Sequence, residues 1–210
     1  RSLRKLLADP YALNPQGAPR GQDRNDQTRA IYDEDFERWT LPFVVAAINT
    51  RVVRRSNALM NQRYGEDFRY DEAMLAPEGQ GALVSKLAAT AMTAGTATLA
   101  IPPLRAIAKR FLPSPGEGPS PEVQEKGYFD ILLYGIHPED RDKDMQARVT
   151  GDRDPGYGST SKMLAEAAVC LASDELDCGG GIWTPASAMG EHLIERLEAS
   201  AGLTFDIVEG

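Results

Sequence analysis

The sequence is poor in the residues that build disulfide frameworks and metal sites. Its 210 residues include two cysteines, Cys170 and Cys178, and two histidines, His137 and His192. Two cysteines are too few for a disulfide framework, which favours a reduced intracellular compartment, so we expect a cytoplasmic protein. Because the cysteines do not form a C-x-x-C pair and few histidines are present, no metal site is predicted.

Positive charge is also scarce. The chain has 23 Lys and Arg against 31 Asp and Glu, a net charge of −8 and an isoelectric point near 4.9. No global positive field would attract a phosphate backbone, which argues against nucleic acid as a partner. The hydrophobic share of 42% and charged share of 26% are typical of a globular protein.

The chain begins at Arg1, without a methionine and without the pattern of a signal peptide. Its first residues, RSLRKLLADP, have the leucine spacing of a helix that is stopped by Asp9 and Pro10. We therefore expect residues 1–27 to be a helix end and a linker after a preceding domain. The chain would then be the C-terminal part of a longer protein.

Helix and strand patterns alternate without the order of repeated βαβ units. Two strands, in KGYFDILLYGIHP and DMQARVTGD, are predicted to pair through a charged turn. This pattern predicts an α+β fold, with a mixed, largely antiparallel sheet covered by helices. We expect an α+β substrate or association domain over 28–152, followed by C-terminal helices and a strand over 153–210.

Three helices are predicted with defined ends. In the first, within 41–65, Val44, Ile48, Val52 and Leu59 recur at helical spacing, which predicts the helix itself. The second runs over 159–172. In the third, Thr184 is the expected N-cap and Gly202 the expected end, and a last strand follows.

The stretch GDRDPGYGSTSK, from Gly151 to Lys162, resembles a phosphate loop only at first sight. Tyr157 stands where a P-loop needs lysine, Ser161 replaces the third glycine of a dinucleotide fingerprint, and two aspartates would repel a diphosphate. One interpretation is a shaped strand-to-helix turn. The other is a site lined by Asp154, Tyr157 and Lys162, because a helix N-terminus presents free N–H groups.

Three arginines, Arg51, Arg54 and Arg55, fall on one face of the first helix. Like charges on neighbouring turns repel unless anions answer them. The cluster is either a solvated face paired with nearby acids or a contact for an anion. Such an anion could be a cofactor phosphate, a phosphopantetheine group or an acidic partner.

A run of 18 residues from Leu87 to Leu104 carries no charge, and basic residues flank it. Its length just reaches that of a membrane span, but threonines, a glycine and Pro102–Pro103 weaken this interpretation. The alternatives are a buried or partner-covered helix, and a helix within 83–111 that lies on a membrane surface.

Four stretches together resemble one family: WTLPFVVAAINTRVVRRSNAL, YGEDFRYDEAM, GDRDPGYGSTSKMLAEAAVCLA and WTPASAMGEHLIERLEASAGLTF. They are similar to the C-terminal half of bacterial saccharopine dehydrogenase-like oxidoreductases, which include the trans-acting enoyl reductases of lipid polyketide assembly. The resemblance spans Leu3 to Phe205. It implies an N-terminal Rossmann domain that binds NAD(P), and a second α+β domain that closes over substrate and often mediates self-association.

What the resemblance implies about function follows from that layout. The chain would be one part of an NAD(P)-dependent oxidoreductase, an enoyl reductase for lipid-linked or polyketide acyl substrates, and would be inactive alone. Its partners would be the Rossmann domain, the acyl substrate and a second copy. No catalytic or cofactor-binding residue is carried over to this half. The alternative is a non-catalytic, membrane-associated or protein-interaction module that keeps the fold.

Overall fold

A computed structural model describes residues 8–99, 101–108, 110 and 117–208, apart from the side chain of residue 108. The chain divides into two compact units, Arg1–Leu112 and Pro113–Gly210. The helix end expected over the first seven residues lies outside the described residues. The boundary expected near residue 152 falls within the second unit.

The first unit is a small antiparallel sheet with helices. Its strands pair in the order β1–β2–β3: β1 Ile31–Asp33, β2 Arg38–Pro42 and β3 Ala73–Leu75. Its helices are α1 Ala46–Leu59, α2 Ala82–Leu99 and α3 Pro102–Ala108. Helix α2 packs on β2, and the core between them is built mainly from small side chains: Ala30, Leu41, Ala76 and Ala89, flanked by Trp39, Ala88 and Met92.

Helix α1 forms where the sequence predicts it, and the face that the unit buries is polar rather than the apolar one. Val44 and Ile48 are 60% and 61% exposed, whereas Thr50, Arg51 and Arg54 are at most 4% exposed. Apolar spacing measures hydrophobicity alone. The opposite face of α1 can be buried because its polar groups form ion pairs with carboxylates and hydrogen bonds with carbonyl oxygens inside the unit.

The second unit has a longer antiparallel sheet. Its strands pair in the order β4–β5–β6: β4 Phe129–Gly135, β5 Met145–Gly151 and β6 Leu203–Val208. Its α-helices are α4 Pro121–Lys126, α5 Gly158–Ser173, α6 Pro185–Ala188 and α7 Gly190–Arg196. A 3₁₀ turn spans Arg141–Lys143 and a π-helical turn spans Leu197–Ala201. The predicted strand pair, the helix over 159–172 and the last strand are confirmed.

The predicted α+β class and antiparallel pairing are confirmed, although the described residues form two separate sheets rather than one. The predicted caps of the last helical segment are confirmed as well. Thr184 and Ser187 form a reciprocal capping box, and Gly202 ends the segment in the left-handed conformation with φ 74°. The structure divides that segment into α6, α7 and the π-helical turn.

One face of the β4–β6 sheet is apolar along its whole length. Two neighbouring rows, each with one residue from every strand, are Ile131–Val149–Phe205 and Leu133–Ala147–Ile207. Among the described residues, α5, α7 and the π-helical turn cover one end of this face, where the core contains Leu197, Ala201 and Leu203. At the other end Ile131, Met145 and Ile207 are 51%, 57% and 65% exposed.

Candidate functional site

The arginines of α1 meet carboxylates of their own chain. Arg51 Nη1 lies 3.0 Å from Asp26 Oδ2, and Arg54 Nε lies 3.0 Å from Asp23 Oδ1. The side chains of Arg54 and Asp23 are 3% and 2% exposed. The Arg54 Nε contact is too poorly aligned for a hydrogen bond, so it is an ion pair only. The acids expected beside this cluster are present, but Arg51 and Arg54 are buried rather than solvated.

Backbone carbonyl oxygens accept the other guanidinium protons. Arg54 donates to Pro10 O at 3.2 Å and to Tyr70 O at 2.6 Å, and Arg51 donates to Asp9 O at 3.1 Å. Arg55, which is nearer the surface, donates to Leu13 O. An external anion would therefore have to displace carboxylates that already neutralise Arg51 and Arg54.

The ion pair of Arg54 continues into a hydrogen-bonded network. Tyr11 Oη donates to Asp23 Oδ2 at 2.6 Å, and Tyr70 N donates to Asp23 Oδ1 at 2.9 Å. Tyr70 Oη donates to Glu72 Oε1 at 3.0 Å. Burial raises the pKa of Glu72 and also that of Tyr70, which the neighbouring Glu72 charge raises further. This network connects α1 to the segment that precedes β1 and to the approach to β3.

Sequence reasoning missed Asp23 and Asp26. They lie within residues 1–27, which the sequence predicts to be a helix end and a linker. Their spacing of three matches that of Arg51 and Arg54, and this match is a signal that could have paired them. It could not have shown that both pairs are buried.

The turn between β5 and α5 is closed by the side chain of Asp154. Its carboxylate accepts from the backbone N–H groups of Gly156 at 2.9 Å, Tyr157 at 3.2 Å and Gly158 at 2.6 Å. These bonds, with that of Gly158 the strongest influence, hold the pKa of Asp154 below its ordinary value. The expectation of free N–H groups at this helix start is therefore wrong for these three residues, because Asp154 occupies them.

Lys162 is directed away from Asp154. Its Nζ lies 3.2 Å from Asp152 Oδ1 and 3.3 Å from Ala201 O, so it joins the start of α5 to the start of β6. A Cβ on Gly202 would come within 2.5 Å of the Asp152 carboxyl group. Tyr157 is 57% exposed and its ring lies against Gly118. The structure thus brings Asp154 and Tyr157 into one turn and pairs Lys162 with a different acid.

The six candidate residues are divided between the two units, three in each. The three arginines lie in the first unit and Asp154, Tyr157 and Lys162 lie in the second. Among the described residues, no group of three or more His, Cys, Asp or Glu side chains is arranged to hold a metal ion.

A second ionic contact in the second unit was also missed. Arg196 binds Asp174 through two bonds, Nε to Oδ2 at 2.7 Å and Nη2 to Oδ1 at 2.5 Å. Hydrogen bonding to Arg196 holds the pKa of Asp174 at about 2. The thiol of Cys170, which is fully buried, hydrogen-bonds to the same carboxylate, and burial raises the pKa of that thiol. This contact joins α5 to α7 and leaves the thiol protonated at neutral pH.

The uncharged run from Leu87 to Leu104 is divided between α2 and α3. In the described part of the chain, no helix combines the length and apolar character that crossing a membrane requires.

The chain is homologous to the trans-acting enoyl reductases, which confirms that part of the resemblance. One relative of that name from Mycobacterium leprae is 35% identical over 95% of this chain and 50% of its own length. Another, from Mycobacterium bovis, is 34% identical over 92% of this chain and 49% of its length. A Mycobacterium tuberculosis protein that carries the name provisionally is 37% identical over 94% and 49%.

The chain thus spans about half the length of the curated relatives it matches, which is consistent with the C-terminal half that the resemblance implied. No protein-family model and no solved structure matches it.

Proposed function

We propose that this chain is the substrate and association region of an NAD(P)-dependent enoyl reductase of the saccharopine dehydrogenase-like type. Its substrates would be unsaturated acyl groups, lipid-linked or on a polyketide. The names of the relatives support an enoyl reductase, and their double length supports a division of labour between two regions.

The observation that carries this division is the closed start of α5. A dinucleotide diphosphate needs free backbone N–H groups or cations at a helix N-terminus. Here Asp154 accepts from three such N–H groups and Asp152 neutralises Lys162. The residues of this turn do not fit a diphosphate. We therefore assign NAD(P) to a Rossmann domain in the N-terminal region of the whole protein.

The apolar sheet face supports the association role. Ile131, Met145 and Ile207 at its uncovered end are more than half exposed. An apolar sheet face in a stable protein is covered by another layer. We propose that the Rossmann domain of the same protein or a second copy of the chain supplies that layer.

The experiment uses the whole protein of which this chain is part. Purified protein is mixed with an enoyl thioester on an acyl carrier and with NADPH, and NADPH oxidation is followed together with product mass. Reduction of the double bond adds two hydrogens to the product and consumes one NADPH. The 210-residue chain alone serves as the control and should oxidise none. If folded whole protein shows no turnover at saturating substrate and NADPH, the proposal is contradicted.

A second function is favoured by one observation, the exposed helices α2 and α3. A non-catalytic, membrane-associated module would keep the same fold and the same exposed helices. It would sit in the cytoplasm at the inner face of the membrane and show no NADPH oxidation in the assay above. Turnover by the whole protein therefore separates the two functions.

A further inference from the structure

The segment between Glu78 and Glu117 differs in charge from the rest of the chain. It contains four basic residues and no Asp or Glu, in a chain whose net charge is −8. The four are Lys86, Arg105, Lys109 and Arg110. Of these, Lys86, Arg105 and Arg110 are described and exposed. A positive segment is thus confined to α2, α3 and the residues next to them.

Helix α2 contacts its unit through one narrow face. The buried positions are Ser85 and Ala89, with Met92 half-buried beyond them. The opposite face carries Leu83 and Leu87, one helical turn apart and 72% and 62% exposed. The two leucines at the start of α2 therefore point away from the core, and the fully buried positions of the helix are small residues.

Helix α3 and the residue before it also expose large apolar side chains. Ile101, Leu104 and Ile107 recur every three residues and are 46%, 40% and 56% exposed. Helix α3 contacts α2 and carries Arg105 in its last turn. The lipid-contact surface, as we name it, consists of Leu83, Val84, Leu87, Ile101, Leu104 and Ile107.

We propose that this lipid-contact surface binds the interface of an anionic membrane, with Arg105 and Arg110 meeting lipid headgroups. Exposed leucine and isoleucine side chains beside cations, with no acid between, are the combination that interfacial helices use. The helices lie on the surface and do not cross it. The inference deepens the second function proposed above, and it is independent of the catalytic function because it concerns binding only.

Charge decides between a membrane and a second copy. In a two-fold dimer built on this surface, each patch would meet its own copy, and the cations of one would approach those of the other. An anionic bilayer neutralises them instead. Each cation near an anionic surface adds about 1 kcal/mol, or roughly fivefold in affinity.

The test measures co-sedimentation of the 210-residue chain with vesicles of pure phosphatidylcholine and with vesicles that also contain phosphatidylglycerol. The chain is expected to bind the anionic vesicles and to be released by salt. Reversal of two cations in Arg105→Glu/Arg110→Glu should weaken binding by more than tenfold, given the contribution of about fivefold per cation.

The apolar contribution is tested with a matched pair of variants. Leu83→Asp/Leu87→Asp places two acids on the lipid-contact surface, and Leu164→Asp/Leu171→Asp places two acids on α5. The exposures are closely matched, 72% and 62% against 69% and 59%. The first variant should lose vesicle binding and the second should keep it, while circular dichroism shows that both fold.

Three results would overturn the proposal. One is no binding of the unaltered chain to anionic vesicles. Another is equal loss of binding in both leucine variants. The third is a concentration-dependent dimer that Leu83→Asp/Leu87→Asp abolishes without any vesicle binding, which would show that a second copy covers the surface. None of these results would bear on NADPH oxidation by the whole protein.

Discussion

Arg51 and Arg54 of α1 and Lys162 of α5 are each paired with an aspartate of their own chain. The two arginines are buried, whereas the lysine pair is partly exposed. Arg54 and Asp23 form a pair that is 3% and 2% exposed. Lys162 and Asp152 form one that is 32% and 52% exposed. In both units a cation that the sequence offers as an anion-binding residue is neutralised by an aspartate of its own chain.

The two pairs differ in how much stability is lost when one member of the pair is removed. A buried charge left alone has no water to stabilise it, so removing one member costs several kcal/mol. An exposed partner is solvated at once, and removing it costs little. The α1 network therefore stabilises the first unit, whereas the Lys162–Asp152 pair can be removed with little loss of stability.

The largest effect is expected from Arg54→Met. It leaves Asp23 buried without its cation, and the free energy of unfolding should fall by about 3–5 kcal/mol in urea denaturation. Arg55→Met is the control, because Arg55 lies nearer the surface and donates to a carbonyl oxygen. It should cost about 1 kcal/mol or less. Equal losses in the two variants would show that burial of the Arg54–Asp23 pair is not the source of the effect.

A smaller loss is expected from Gly202→Ala. Gly202 has a φ of 74°, and an added Cβ would lie 2.5 Å from the Asp152 carboxyl group that holds Lys162. The left-handed conformation alone should lower the free energy of unfolding by about 1–2 kcal/mol. Gly179→Ala, where a Cβ meets no atom within 4 Å, should have almost no effect. Matching melting curves for the two variants would show that this turn is not constrained.

Asp154→Ala should change ligand response more than stability. It frees the three N–H groups that the carboxylate now occupies, so the start of α5 becomes able to bind an anion. In thermal melts, inorganic phosphate should raise the melting temperature of this variant and leave the unaltered chain unchanged. Asp177→Ala, which removes an exposed carboxylate outside this turn, is the control and should show no phosphate response. A response of the unaltered chain would mean that Asp154 does not close the turn.

The smallest effect at neutral pH concerns Asp174 and appears on acidification. Its pKa is lowered from 3.8 to about 2, mainly by hydrogen bonding to Arg196. The pair therefore stabilises the folded chain above pH 3.8, and this contribution is lost as the pH falls toward about 2. Urea unfolding of the unaltered chain and of Asp174→Asn should differ at neutral pH and converge near pH 2. A difference that persists at the lowest pH would show that the carboxylate charge is not its source.

The sequence predicted the elements better than their surroundings. Turn and cap chemistry is local, which is why the ends at Thr184 and Gly202 and the paired strands β4 and β5 were found. The buried face of α1 was not found, because its burial depends on Asp26 and Asp23, which are 25 and 31 residues from their arginine partners, and on carbonyl groups that no spacing reveals. The closed α5 turn was predicted only in part: the spacing indicated that its aspartates would repel a diphosphate, but not that Asp154 accepts from the N–H groups at the start of the helix.

The central claim is that this chain satisfies its own anion-binding groups and leaves the dinucleotide to another region. Titration of the 210-residue chain with NADPH, followed by calorimetry and by nicotinamide fluorescence, tests it most directly. The account predicts no saturable binding by this chain, whereas the whole protein binds. Saturable one-to-one binding by the chain alone, abolished in Lys162→Ala, would contradict it.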